Sequence, residues 1–129
     1  MTELAHAKYV LESNDIQFIY ELKELELEEE VNKELAVILK ELITNILKHA
    51  NADLVKAEVF QRDNETIMII EDNGIGLASL KNEDQSKQGF GLKGIRERME
   101  KLSGRFTLES NPGAKFTFSV PAQTSEIKS

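Results

Sequence analysis

The run Thr66-Ile67-Met68-Ile69-Ile70 is apolar or β-branched at every position and ends in Glu71-Asp72-Asn73-Gly74-Ile75-Gly76. A short run without alternation reads as a central strand. A chain with such a strand must place other strands beside it and a layer over it. The turn that follows is an unusual ending. Glycine loses more backbone entropy than any other residue, so Gly74 and Gly76 mark a tight turn or a close backbone approach. Asp72 adds a side chain that accepts hydrogen bonds, which suits an amino group presented by a ligand. The plain alternative is a connecting loop, because Asp-Asn and Asn-Gly are common turn makers.

The rest of the chain supplies the partners that this strand requires. Residues 3–13 repeat apolar side chains at helical spacing, with Leu4, Ala7 and Leu11 on one face. Residues 16–25 alternate, with Ile16, Phe18, Tyr20 and Leu22 on one side. Residues 31–50 give a long helix whose apolar face holds Leu35, Ile38, Leu39, Leu42 and Ile46. Residues 52–61 read as a strand, joined to residues 66–70 by a hairpin turn at Arg62-Asp63-Asn64-Glu65. Residues 77–88 are polar and aperiodic, and are expected to form a mobile lid. Leu92, Ile95, Met99 and Leu102 predict a helix that stops at Gly104. Arg96 and Arg98 on it are expected to be exposed. Two final strands, 105–109 and 115–120, flank Ser110-Asn111-Pro112-Gly113.

Charge and composition narrow the function classes. The 129 residues carry a net charge of −7, whereas a non-specific nucleic-acid binder needs a basic face. Cysteine is absent and there are two histidines, His6 and His49, which leaves little for a protein-built zinc site. His6 reads as a surface residue. No apolar run reaches the length of a membrane span.

Two further stretches carry chemistry. Glu41, Asn45 and Lys48 fall at i, i+4 and i+7, one line along the long helix. A solvated stripe is the ordinary explanation, but asparagine is a mediocre mid-helix residue without a packing reason to be there. A carboxylate, an amide and an ammonium together can position water, a divalent metal and a phosphate. Downstream, Gly89-Phe90-Gly91-Leu92-Lys93-Gly94 opens a helix, whose free N–H groups make a ready anion site.

In order, these stretches are E-x-x-x-N-x-x-K-H, D-x-G-x-G and G-x-G-L-x-G entering a helix. The trio resembles the ATP-binding catalytic domain of sensor histidine kinases, within the gyrase–Hsp90–kinase–MutL ATPase superfamily. Gly-Leu-Lys-Gly-Ile-Arg-Glu-Arg-Met is similar to the branch of nitrate/nitrite sensors and DesK-like and LiaS-like kinases. The likeness covers residues 16–121. It implies a two-layer α/β sandwich, with a mixed sheet packed on three helices and a mobile ATP lid. Residues 1–14 would be a linker helix from a separate dimerisation domain, 15–122 the ATP-binding domain and 123–129 a flexible tail.

The resemblance also implies roles. Asn45 would coordinate Mg²⁺, Lys48 and His49 would contact phosphate, and Glu41 would position water or a proton near the γ-phosphate. Asp72 would accept the adenine amino group, with Gly74 and Gly76 letting the backbone approach the nucleotide. Gly89, Gly91, Leu92 and Gly94 would form the lid hinge and phosphate cradle. The family often has Gly-Thr before its last strand, where this chain has Gly113-Ala114. The next hydroxyl on that strand, Thr117, is a poor substitute on position alone and is carried as a nucleotide-binding candidate. The implied activity is transfer of the γ-phosphoryl group of ATP to a histidine on a dimerisation domain, with a response regulator downstream, in the cytoplasmic part of a membrane-bound sensor. No phosphoacceptor motif is visible, since His6 is followed by Ala7. A nucleotide-dependent interaction module and an anti-sigma-type serine kinase remain as alternatives.

Overall fold

The computed structural model describes residues 2–23, 27–74, 92–110 and 113–121, with His49 and Ala50 as backbone only. Five strands form one sheet: β1 (Gln17–Leu22), β2 (Leu54–Arg62), β3 (Glu65–Asp72), β4 (Arg105–Ser110) and β5 (Ala114–Pro121). Their order is β1-β2-β3-β5-β4, which puts the apolar strand β3 in the centre as its sequence requires. β1 and β2 are parallel and need a crossover, which the helix α2 (Glu29–Asn45) supplies. The other pairs are antiparallel. The β2–β3 hairpin turns through Asp63 and Asn64, both left-handed at φ 53° and 65°; two successive positive φ values make the turn that matches strand twist, and Asx residues tolerate them.

Register divides the sheet into two faces. Val55, Ala57 and Val59 of β2, Met68 and Ile70 of β3, and Phe118 and Val120 of β5 point inward and are buried. Helices cover them: α1 (Thr2–Glu12) through Leu4, Ala7 and Leu11, α2 through Leu35, Ile38 and Leu42, and α3 (Leu92–Lys101) through Ile95 and Met99. This is the expected two-layer α/β sandwich with three helices. On the outer face, Lys56, Glu71, Lys115 and Glu109 are successive neighbours across four strands, a row of alternating sign. Opposite charges side by side keep that face in water without a second layer. Ile67 is buried there all the same, because Phe60 and Ser119 flank it.

Several boundaries differ from expectation. β1 ends at Leu22, and Tyr20 and Leu22 are exposed, because an edge strand is shielded from one side only. At Phe18 the edge is blocked by α1: Lys8 Nζ donates to the Phe18 carbonyl at 3.2 Å, and the Phe18 N–H donates to Glu12 Oε2 at 3.4 Å. The residue in the left-handed region after α3 is Ser103, φ 57°, and Gly104 follows it. The Gly104 N–H closes the helix on the Met99 carbonyl at 2.8 Å. A side chain at Gly104 would press on the Ser119 carbonyl, which accounts for glycine one place later than the left-handed position. Leu4, Ala7 and Leu11 of α1 belong to the same buried cluster as the sheet.

Candidate functional site

Asp72 is the last residue of β3 and points inward, toward the helix layer. It is 8% exposed. Its Oδ1 accepts the Gly74 N–H at 2.7 Å and, at 3.5 Å, the N–H of Ala114. Burial pushes the carboxyl above its ordinary value near 3.8; these two N–H groups oppose that and the Glu71 charge adds to it. Both bonds described for Asp72 fall on Oδ1. The backbone around it is pinned by Asn73. Asn73 Oδ1 accepts the N–H groups of Asp53 and Leu54, each at 3.0 Å, and Nδ2 donates to Asp53 Oδ1 at 2.7 Å. From the other side Gly113 lies against the Asp72 and Asn73 backbone with no room for a Cβ.

The long helix ends as α at Asn45 and continues as one wide π turn, Ile46–Ala50, stopped by Asn51 in the left-handed region at φ 54°. A π turn is rare, and this one falls on the N-x-x-K-H stretch. The α spacing expected from Glu41 through Asn45 to Lys48 therefore holds only as far as Asn45. Asn45 is half-buried, while Glu41 and Lys48 are exposed.

Topology gathers these pieces. Residues 51–53 join α2 to β2, and Val55 of β2 pairs with Asp72, so the C-terminal end of α2 stands at the Asp72 end of the sheet. β4 starts at the opposite end, since Arg105 pairs with Ser119 and Ser119 with Ile67. α3 leads into β4 and so runs away from the Asp72 end, with Leu92 and Gly94 at its near terminus. An ion pair agrees with this antiparallel arrangement: Glu34, early in α2, meets Arg98 and Lys101, late in α3. An acceptor on β3, an amide at the end of α2 and a helix N-terminus thus share one end of the molecule. That combination can hold a base, a metal-bound phosphate chain and its anionic oxygens.

Thr117 is not brought there. It pairs with Ile69 and Thr107 on the outer face, across the sheet from Asp72. Gly76, Gly89, Gly91 and the expected lid lie outside the described residues. Among the described residues, no cluster of three or more His, Asp or Glu side chains could hold a metal by itself, and no helix is long and apolar enough to cross a membrane.

A family model described as histidine kinase-, DNA gyrase B- and HSP90-like ATPase matches residues 30–124. The chain belongs to this ATPase family. Its relatives include sensor histidine kinase DesK of Bacillus subtilis, 34% identical over 122 residues, and sensor protein VraS of Staphylococcus aureus, 30% identical over 108. These matches take in 92% and 83% of the ATPase chain, but 32% and 30% of the two relatives, so it spans about a third of their length. Among solved structures, Acinetobacter baumannii histidine kinase AdeS superposes with a TM-score of 0.77 at 20% identity, over 95% of this chain and 62% of that one. The catalytic domain of histidine kinase ThkA gives 0.72 at 17%, over 92% and 89%. At such identities the likeness speaks for the fold, and it bears out the expected sandwich.

Two residues that shape the Asp72 turn, and one that joins α2 to α3, were not visible as such in the sequence of the ATPase domain. Asn73 reads as turn chemistry, yet its amide ties the Asp72 turn to the start of β2. Gly113 reads as a hairpin glycine, yet it makes room for the Asp72 backbone. Glu34 belongs to no motif, although it lies four residues before Ile38 on the apolar stripe of α2, and that spacing is the available signal. Arg98, expected to be exposed, is half-buried against it.

Proposed function

We propose that this ATPase domain binds Mg·ATP and donates the γ-phosphoryl group to a histidine of a separate dimerisation domain. The observation that supports it is Asp72: a buried acceptor at the sheet end shared with Asn45 and the N-terminus of α3. The adenine amino group donates to Asp72. Guanine presents a carbonyl oxygen at that position, so two acceptors would meet, and adenine is selected.

The residues fit a magnesium ion. Mg²⁺ prefers hard oxygen ligands and takes most of them from phosphate and water, so one amide oxygen, that of Asn45, is a sufficient protein contribution. When bound, the ion neutralises charge on the phosphate chain. Lys48 and His49 add positive charge or donors beside it, and the N–H groups that open α3 receive phosphate oxygens. Glu41 orients the proton of the incoming group. In the transfer, the bond between the γ-phosphorus and the oxygen bridging to the β-phosphate breaks, a P–N bond forms to an imidazole nitrogen, and ADP leaves with the electron pair. The protein contributes positioning and charge stabilisation. The acceptor domain, a downstream response regulator and a cytoplasmic setting belong to the same proposal.

The test is to incubate the chain with γ-labelled ATP and a histidine-bearing dimerisation domain. Acid-labile, base-stable label on that domain is expected. Acid-stable label would point to a serine kinase, and nucleotide binding without label to an interaction module. Asn45→Ala should abolish Mg-dependent binding; an unchanged affinity in that variant would remove Asn45 from the site.

A further inference from the structure

Glu34 lies on the buried stripe of α2 and is 1% exposed. Its two oxygens are held separately: Arg98 Nη1 is 2.8 Å from Oε1 and Lys101 Nζ is 3.0 Å from Oε2. Both cations come from α3 and are three residues apart, one helical turn. The apolar contacts between the helices are non-directional and tolerate small slips. A carboxylate forked between two cations on one helix does not. Moving α3 by one residue shifts it about 1.5 Å and rotates its side chains about a third of a turn, which breaks both bonds. Burying a carboxylate gains little over burying an apolar side chain of its size, whereas fixing register is the best-attested use of a buried ion pair.

We propose that Glu34, with Arg98 and Lys101, is a positioning residue for the phosphate end of the nucleotide site. It sets α3 against α2, and so sets the gap between Asn45 at the end of α2 and the N-terminus of α3. The proposal rests on the reading of this domain as an Mg·ATP-binding one. α3 is a short rod of ten residues, so a tilt or slip at Arg98 and Lys101 is carried to Leu92 and Gly94. The adenine end is independent of the clamp. Asp72 is held by Gly74, Asn73 and the Ala114 N–H, and none of these belongs to α3.

This independence gives a readout that general destabilisation does not produce. Mg·ATP and adenosine affinities are measured on the full chain and its variants by calorimetry and NMR titration. In Glu34→Gln, the Mg·ATP Kd should rise about tenfold, as expected for phosphate contacts displaced by about an ångström, while the adenosine Kd should change less than about twofold. Because Glu34→Gln can fail to fold, Arg98→Ala and Lys101→Ala are measured beside it. Lys101 is exposed and Arg98 half-buried, and each should show the same selective loss in smaller measure. Folded variants that bind Mg·ATP like the parent, or that lose ATP and adenosine affinity equally, overturn the proposal. A parent chain that binds no Mg·ATP overturns the functional reading itself, a result distinct from either.

Discussion

Gly113 stands so close to Asp72 that a Cβ added to it would overlap the Asp72 carbonyl and come within 3.0 Å of the Asn73 Cα. The obstacle is backbone, which cannot swing aside as a side-chain tip can. Gly113→Ala must therefore push the end of β5 away from β3 and stretch the 3.5 Å bond from the Ala114 N–H to Asp72. The expected loss is about 1–3 kcal/mol, the range for overpacking a tight site. Urea unfolding measures it, and a variant as stable as the parent would mean that the close approach is not required.

Asn73 makes three side-chain bonds across the gap between β3 and the start of β2. These groups are solvent-accessible, so water replaces part of what is lost. Asn73→Ala should cost about 1–2 kcal/mol and loosen the Asp72 turn. Amide exchange at Asp53 and Leu54 is the direct measure. Protection unchanged at both would rule out the staple.

Asp72 carries a tension between stability and binding. Its charge is disfavoured by burial, and the described ion pairs include no cation for it. Asp72→Asn removes the charge and keeps an oxygen for the Gly74 N–H. Its melting temperature should match or exceed that of the parent, while ATP affinity should fall about tenfold, for loss of a hydrogen bond to a charged acceptor. Equal ATP affinity in the two proteins would take the adenine role away from Asp72.

The pH dependence of stability should carry opposite signatures from two carboxylates. The Arg98 hydrogen bond, with help from Lys101, holds Glu34 below the ordinary 4.5 despite its burial. A depressed folded-state pKa gives stability that is full above 4.5 and is lost as pH falls through the lowered value. Asp72, pushed up from 3.8, does the reverse: stability falls as pH rises from 3.8 through its raised value, then levels. Urea midpoints from neutral to acidic pH should show Glu34→Gln well below the parent at neutrality, by about 2 kcal/mol, with the gap closing below pH 4.5. A gap that widens on acidification would contradict the ion-pair assignment.

Much of this was legible because local patterns are dictated locally. The unbroken apolar run of β3 required a central place, Asp63-Asn64 required a hairpin, and the period of Leu35, Ile38 and Leu42 required a helix lying on a sheet. The three ordered motifs were specific enough to point to the ATPase family before any fold was known. The winding change after Asn45 was not legible, since residues 46–50 have no composition that demands a π turn. The exposure of Tyr20 and Leu22 was not legible either, because alternation says which residues share a face but not whether anything covers it.

Local sequence thus set the elements, the central strand and the motif positions Asp72 and Asn45, since each follows from backbone preference or side-chain chemistry within a few residues. Packing of the whole chain brings Glu34 to Arg98 and Lys101 across 64 and 67 positions and sets Gly113 against Asp72. It also decided that Thr117 faces away from Asp72. Strand register and helix packing set those relationships, and both arise from contacts between residues far apart in the chain.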